Sequence, residues 1–204
     1  MTLTLLHTAQ VHAARFDALR DRIAPGAVLK HIVAPDWLED ARRDGITPAL
    51  TDRLRDAIGG AEGPVICTCT TLGDAAERLG AIRIDRPLMR QAARIGGRVA
   101  MAYALSSTLD PSRALFADEA GREPDLMIDL TAHWPLFEGG DEQGFERAIA
   151  DGIRQAIAGQ QIEAVVLAQA SMAGAADHLG DLGIPVLASP ELALRYGLGI
   201  GTTG

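Results

Sequence analysis

The segment PVICTCTTLGDAAERLG, residues 64–80, recurs in diverged form as AVVLAQASMAGAADHLG, residues 164–180. The two copies align without a gap at a spacing of 100 residues, and identical pairs include Val65 with Val165. In each copy a short apolar run, typical of a buried strand, passes directly into a helical pattern. Apolar helices with Ala-Ala pairs also recur by chance, but the extent of the match favours duplication of one α/β lobe.

Short apolar runs alternate with longer stretches of helical periodicity along the whole chain. The predicted strands are 3–7, 27–33, 64–69, 98–105, 126–130, 164–169 and 185–189, with a further short strand within 80–86. The predicted helices are 11–23, 37–58, 72–79, 87–95, 108–117, 144–158, 172–179 and 190–196. This alternation of strand and helix is typical of parallel sheets with helical crossovers.

The expected fold is therefore an α/β fold of two pseudo-symmetric lobes, each a four-stranded, mainly parallel sheet flanked by helices. We expect the first lobe at 1–95, completed by the C-terminal helix within 190–204, and the second lobe at 96–189. Ligands of such sheets bind at the carboxyl ends of the strands, so an active-site cleft between the lobes is predicted.

Composition and charge narrow the class of protein. Hydrophobic residues make up 48% of the chain and charged residues 23%, which is ordinary for a globular protein. The net charge of -8 argues against nucleic acid or an anionic membrane as a partner. We find no secretory signal pattern and no long uncharged apolar stretch, and we expect a reduced, cytoplasmic protein.

Cys69 is the residue best placed for chemistry. It lies where the first-copy strand meets its helix, followed by Thr70 and Thr71. Unused backbone N–H groups and the positive end of the helix dipole would stabilise a carboxylate there and lower the pKa of a thiol. The alternative is that Cys69 is a small buried hydrophobe and Thr71 a helix cap.

These features resemble the aspartate/glutamate racemase superfamily, which includes hydantoin racemases, maleate isomerases and arylmalonate decarboxylases. The Cys-Thr-Thr turn and the block from Asp-Arg-Pro to Ser-Ser-Thr-Leu carry the most specific likeness. The segments that resemble the family are HTAQV (7–11), VICTCTTLGD (65–74), DRPLMRQAARIGGRVAMAYALSSTLDPS (85–112), VVLAQASMAGAADHL (165–179) and GIPVLASPELAL (183–194).

The resemblance implies that one cysteine from each lobe faces the substrate's α-carbon, while threonine and backbone donors hold its carboxylate. Cys69 matches the first-lobe cysteine, and Thr70 and Thr71 match its carboxylate-binding neighbours. The second-lobe position holds Gln169 instead of cysteine. An amide cannot exchange a proton at ordinary pH, so a symmetric two-thiol racemase is doubtful. One-sided chemistry remains, with Cys69 as acid/base or nucleophile and Gln169 polarising a carboxylate or carbonyl.

The remaining candidates follow strand ends and have two interpretations each. Ser107 and Thr108 follow the strand 98–105; Thr108 fits a helix cap, and the resemblance implies that this turn faces the cleft. Ser171 can cap a helix or contact a ligand. His7 can be a buried structural histidine or a cleft residue.

Three functions stay open at this point. The leading hypothesis is a cofactor-independent isomerase or lyase acting on a small carboxylate or carbonyl compound. The second is a carboxylate-binding or regulatory protein that lost turnover, and the third is a redox-responsive protein using Cys67 with Cys69; otherwise Cys67 is core. No metal site is predicted, and a homodimer is implied by the resemblance alone.

Overall fold

The computed structural model describes residues 2–200, which fold into two compact units. One unit comprises Met1–Pro87 together with Pro190–Gly204, and the other comprises Leu88–Ser189. The division along the chain falls at the start of the helix Arg86–Ile95, whereas the sequence-based boundary was set at the end of that helix.

The first unit is built on a parallel sheet with the strand order β2-β1-β3-β4. Its strands are β1 (Thr2–His7), β2 (Val28–Val33), β3 (Val65–Cys67) and β4 (Ile82–Arg83). Its helices are α1 (Val11–Ile23), α2 (Pro35–Asp44), α3 (Pro48–Gly59) and α4 (Thr70–Arg78), and α5 (Arg86–Ile95) leads into the second unit. β1 pairs in parallel with β2 on one side and with β3 on the other.

The second unit repeats this plan with the strand order β6-β5-β7-β8. Its strands are β5 (Val99–Tyr103), β6 (Leu126–Asp129), β7 (Ala164–Leu167) and β8 (Val186–Ala188). The helices are α6 (Leu109–Ala120), α7 (Trp134–Glu138) and α8 (Glu142–Ile157), followed after β8 by α9 (Ser189–Gly197). Four 3₁₀ segments also occur, at Ser106–Thr108, Thr131–His133, Ala170–His178 and Gly180–Leu182.

The α/β fold with two four-stranded sheets is confirmed, and both sheets are parallel throughout. Every predicted strand is present, including the short one within 80–86, although most are shorter than the apolar runs that indicated them. The two central strands β5 and β7 are buried along their whole length. Helices cover such a sheet on both faces, and this is why its strands read as continuous apolar runs.

The predicted single helix 37–58 is wrong, because the chain forms two helices there. Gly45 adopts a φ of 75° and its N–H bonds to the carbonyl of Ala41, which ends α2. Thr47 then caps α3 by accepting the N–H of Leu50, and Pro48 occupies the first turn. The sequence contains both signals, Gly45 for the end of one helix and Thr47-Pro48 for the start of the next. The apolar periodicity continues across them and therefore indicated a single helix.

The predicted helix 172–179 also differs from the structure, where Ala170–His178 winds as a 3₁₀ helix. Gly174 lies in the middle of this segment, and a Cβ there would collide with the Glu146 side chain of α8. The short helix α7 had no sequence-based prediction. In the described part of the chain, no helix combines the length and the apolar character that a membrane crossing needs.

Each sheet has one topological switch point, where the connections that follow two neighbouring strands run toward opposite edges of the sheet. In the first unit it lies between β1 and β3, and in the second between β5 and β7. At such a switch point the loops that follow the two strands leave in opposite directions and open a crevice at the carboxyl edge of the sheet. The residues directly after these four strands are therefore the ones to inspect for a site.

Candidate functional site

Cys69 lies at the switch point of the first unit. It follows β3 with an extended backbone (φ -102°, ψ 115°) and occupies the N-cap position of α4. The backbone N–H groups of Thr71 and Leu72 and the Thr71 hydroxyl bond to its sulfur, as does the hydroxyl of Thr8, which follows β1. The thiol thus receives donors from both loops of the switch point.

Burial outweighs these donors in setting the pKa of Cys69. Desolvation is the largest effect and raises the pKa, while the hydrogen bonds from Thr8, Leu72 and Thr71 lower it by less. The side chain is 8% exposed and belongs to an apolar cluster with Leu6 and Leu72. The donors at the helix terminus lower the pKa as expected, but burial raises it by more, so the thiol is protonated near neutral pH.

Thr70 and Thr71 begin α4 directly after the thiol. Thr70 is buried, whereas Thr71 is half-buried and supplies both a backbone and a side-chain bond to Cys69. Thr71 is not the N-cap residue, since α4 begins at Thr70. The structure thus brings Thr71 to the sulfur of Cys69.

His7 is a fully buried histidine at the end of β1. The Thr68 hydroxyl donates to the carbonyl of Leu6 at 3.0 Å, so His7 Nδ1 carries the proton that bonds to Thr68 Oγ1 at 2.8 Å. His7 Nε2 then accepts from His31 Nδ1 at 2.9 Å. Burial, His12 and His31 together lower the pKa of His7 to about 3, so the ring is neutral.

The same cluster contains two further histidines, His12 and His31. His12 is buried, and its pKa falls to about 4 mainly through desolvation. His31 is half-buried, and its Nε2 lies 3.4 Å from the Asp17 carboxylate. His7 itself lies next to Thr8 and bonds to Thr68, the residue before Cys69.

Gln169 takes the corresponding position in the second unit. It follows β7 with an extended backbone (φ -123°, ψ 144°) and precedes the 3₁₀ helix Ala170–His178, as Cys69 precedes α4. Its Oε1 accepts the N–H groups of Ala104 at 2.7 Å and Leu105 at 3.0 Å, which follow β5. The predicted equivalence of positions 69 and 169 in the fold is thus visible at both switch points.

Two of the remaining predicted residues, Thr108 and Ser171, lie next to Gln169. Thr108 is buried and donates its hydroxyl to the carbonyl of Leu105 at 2.6 Å, with Gln169 Oε1 at 3.2 Å. Thr108 occupies the N-cap position of α6 as expected, but its side chain makes no capping bond to the helix. Ser171 is buried, with its Oγ 3.5 Å from Gln169 Nε2, whereas Ser107 is half-buried in the short 3₁₀ helix.

Cys67 lies two residues before Cys69 in the apolar core. It is fully buried, and burial raises the pKa of its thiol. Its Sγ contacts the carbonyl oxygen of Cys69 at 3.6 Å, and both cysteines are free thiols. This placement favours the packing role over the redox role.

Thr8 and the Ala104–Leu105 amides are functional candidates that the sequence analysis did not single out. Each follows the first strand of its unit, and that strand pairs with the one preceding Cys69 or Gln169. The switch-point rule could have found them, because it points to the loops after both diverging strands.

Within residues 2–200, no group of three or more histidine, cysteine, aspartate or glutamate side chains is arranged to hold a metal ion. The polar groups at the two switch points are instead hydroxyls, amides and one thiol. Hydroxyls and amides can bind carboxylates and carbonyls, and a thiol can transfer a proton.

No protein-family model and no curated protein matches this chain. Solved structures do match it over nearly its whole length. Allantoin racemase from Pseudomonas fluorescens superposes with a TM-score of 0.69 at 16% identity, covering 100% of this chain and 94% of that one. Glutamate racemase from Aquifex pyrophilus gives a TM-score of 0.65 at 16% identity, covering 98% of this chain and 84% of that one.

An arylmalonate decarboxylase structure also matches, with a TM-score of 0.59, 12% identity and coverage of 100% of this chain and 94% of that one. Identities this low establish a common architecture only. The chain therefore has the α/β fold seen in amino-acid and allantoin racemases and in arylmalonate decarboxylase.

Proposed function

We propose that this chain is a cofactor-independent isomerase or lyase of the aspartate/glutamate racemase superfamily. Its substrate is a small carboxylate or carbonyl compound, and Cys69 is its working group. One observation carries the proposal: the Cys69 thiol stands at the switch point of its sheet with the Thr8 hydroxyl and the Thr71 and Leu72 amides bonded to it. A sulfur that serves only packing does not need donors from two loops.

The protonation state of the thiol favours the role of proton donor. A thiol whose pKa lies above the ordinary value of about 8.5 holds its proton near neutral pH. In a decarboxylation, the bond between the α-carbon and one carboxylate breaks, carbon dioxide leaves, and the electron pair stays on the α-carbon. Cys69 then gives its S–H proton to that carbon, and water returns a proton to the thiolate.

Neighbouring hydrogen-bond donors stabilise the thiolate formed in that step. The hydroxyls of Thr8 and Thr71 and the amides of Thr71 and Leu72 stabilise negative charge on the sulfur. Gln169, at the equivalent position of the second unit, has no proton to exchange. Both features favour chemistry with one thiol, such as decarboxylation or isomerisation, over racemisation between two thiols.

The test compares Cys69→Ser with Cys67→Ala on a panel of arylmalonate, aspartate, glutamate and allantoin. We expect wild-type protein and Cys67→Ala to release carbon dioxide or to exchange an α-proton in D₂O, followed by proton NMR. Cys69→Ser should lose at least about a hundredfold in rate, the usual contribution of a positioned proton donor. Full activity in Cys69→Ser would refute the proposal.

Alkylation of Cys69 by iodoacetamide across pH measures its protonation state directly. We expect slow reaction near neutral pH and acceleration only in alkaline solution, because burial raises the pKa of the thiol. Fast alkylation at pH below about 7 would indicate a thiolate and would favour a nucleophile over a proton donor.

A binding protein on the same scaffold is the second candidate. The observation in its favour is that the Gln169 carbonyl is already held by two backbone amides, so the second unit lacks an acid or base at this position. A small carboxylate that binds stoichiometrically and is recovered unchanged, with no α-proton exchange, would favour this candidate over the enzyme.

A further inference from the structure

The direction in which the Gln169 amide faces is set by its surroundings. The Ala104 and Leu105 N–H groups can only donate, so the atom that they contact at 2.7 and 3.0 Å must be the carbonyl oxygen. The reversed amide would place its NH₂ group against both of them and leave two buried donors without an acceptor. That arrangement costs the desolvation free energy of each donor.

Thr108 does not compete with this orientation. Its single hydroxyl proton goes to the Leu105 carbonyl at 2.6 Å, and its oxygen lies at the longer distance of 3.2 Å from Gln169 Oε1. The Gln169 carbonyl therefore depends on the two backbone amides, both in the loop that follows β5.

The other end of the amide is only partly used. Gln169 Nε2 carries two hydrogens, and within residues 2–200 its one acceptor is Ser171 Oγ, at the limiting distance of 3.5 Å. The side chain is 5% exposed, so water has little access to the second hydrogen. A buried N–H without a good acceptor is unusual and needs a partner.

We propose that Gln169 is an oriented hydrogen-bond donor for a ligand at the carboxyl edge of the second-unit sheet. Its ligand must present an acceptor oxygen there, such as that of a carboxylate, a carbonyl or a carboxamide, and not an ammonium group, which can only donate. The inference rests on the proposed function for the size and class of the ligand. Beyond that function, the inference specifies that an acceptor oxygen of the ligand binds the side-chain N–H of Gln169.

Gln169→Glu separates this role from a purely structural one. A glutamate side chain still offers an oxygen to the Ala104 and Leu105 amides, and its second oxygen can accept the Ser171 hydroxyl. It has no N–H for the ligand and places a negative charge where an acceptor oxygen must bind. The exposed Gln161→Glu adds the same charge elsewhere in this unit and is the matched control.

The experiment titrates wild-type protein and both variants with malonate, maleate, glutamate and hydantoin, using calorimetry and the side-chain amide resonances of Gln169. We expect the Gln169 resonances of the wild type to shift with at least one of these probes. We also expect Gln169→Glu to keep its thermal midpoint while its affinity for that probe falls at least about tenfold, and Gln161→Glu to bind like the wild type.

Two results would overturn the inference: wild-type Gln169 resonances that stay unchanged with every probe, or equal affinity in Gln169→Glu. Neither result depends on Cys69. Retained activity in Cys69→Ser would remove the proposed chemistry while leaving the donor role of Gln169 intact, so the two failures are distinguishable.

Gln169→Met tests the bonds from the Ala104 and Leu105 amides separately. Methionine offers these amides no comparable acceptor, so this variant should lose stability as well as binding.

Discussion

At residue scale, the two units differ in the side chain that each carries after the second strand of its switch point. Cys69 and Gln169 have similar extended backbones and both precede a helical segment. A sulfur at this position can hold and release a proton, whereas an amide can only orient a hydrogen bond. The two units therefore share a scaffold and differ in chemistry.

The buried histidines His7 and His12 make stability fall in acid. Their pKa values lie at about 3 and about 4 in the folded protein, below the ordinary value of about 6.5. Below about pH 6.5 the unfolded chain therefore binds more protons than the folded one, and stability decreases as pH falls. Each histidine contributes up to about 1.4 kcal/mol per pH unit until its folded-state pKa is reached.

Urea denaturation at about pH 7 and about pH 5 measures this loss. We expect His12→Leu to show a smaller decrease in unfolding free energy between the two pH values, because one buried titrating group is gone. A buried side chain that does not titrate provides the control: Leu50→Ala should lower stability at both pH values and keep the wild-type decrease between them. Equal decreases in all three proteins would contradict the assignment to buried histidines.

At the scale of elements, α4, the helix that follows Cys69, packs against a buried ion pair. Arg83, at the end of β4, makes two bonds of 2.9 Å to the carboxylate of Asp85, and both side chains are buried. Gly73 of α4 lies directly against Arg83, where an added Cβ would be 3.1 Å from Nε. The absence of a side chain at Gly73 thus lets the helix approach the arginine.

Gly73→Ala should destabilise the protein in spite of the higher helix propensity of alanine. The propensity gain is about 1 kcal/mol, but Arg83 cannot move away without weakening two buried bonds, and overpacking costs about 1–3 kcal/mol. We expect a net loss of about 1 kcal/mol in the free energy of unfolding, measured by urea denaturation.

The control for this prediction is Gly59→Ala, at the end of α3. A Cβ there meets no atom within 4 Å, so the substitution should be neutral or stabilising. If both variants gain stability equally, the contact between α4 and Arg83 is less constrained than the geometry indicates.

At the scale of the whole molecule, the last helix completes the first unit. α9 follows β8 of the second unit, yet most of it is grouped with the first. Gly197 lies against the first sheet, where an added Cβ would be 2.7 Å from Ile66 Cδ1 and 3.2 Å from Leu3 Cδ1. The first unit therefore cannot complete its core until the segment 190–197 has been synthesised.

Gly197→Ala tests this docking. Ile66 and Leu3 are fully buried and have no room to retreat, so we expect a loss of about 1–3 kcal/mol in unfolding free energy. Gly26→Ala, where no atom lies within 4 Å of the new Cβ, should stay close to the wild type in the same urea titration. A wild-type midpoint for Gly197→Ala would show that α9 does not pack tightly here.

Much of this architecture is predictable because local patterns and the final packing agree. The inner strands β3, β5 and β7 coincide with apolar runs, since a strand covered on both faces has no polar side to interrupt the pattern. Helix limits were less predictable: in 37–58, apolar periodicity continued across the break at Gly45 and Pro48. Apolar periodicity shows which side of a helix is buried, but it does not show where the helical backbone ends.

The fold class, the doubling of one α/β plan and the equivalence of positions 69 and 169 within it could be predicted from the residues alone. These follow from short-range patterns that the chain carries everywhere. Only the tertiary structure decided that Thr8 bonds to the Cys69 sulfur, that burial raises the pKa of this thiol, and that two backbone amides orient Gln169. Solvent exclusion and contacts between residues tens of positions apart exist only once the strands have paired, and they set the chemistry of both positions.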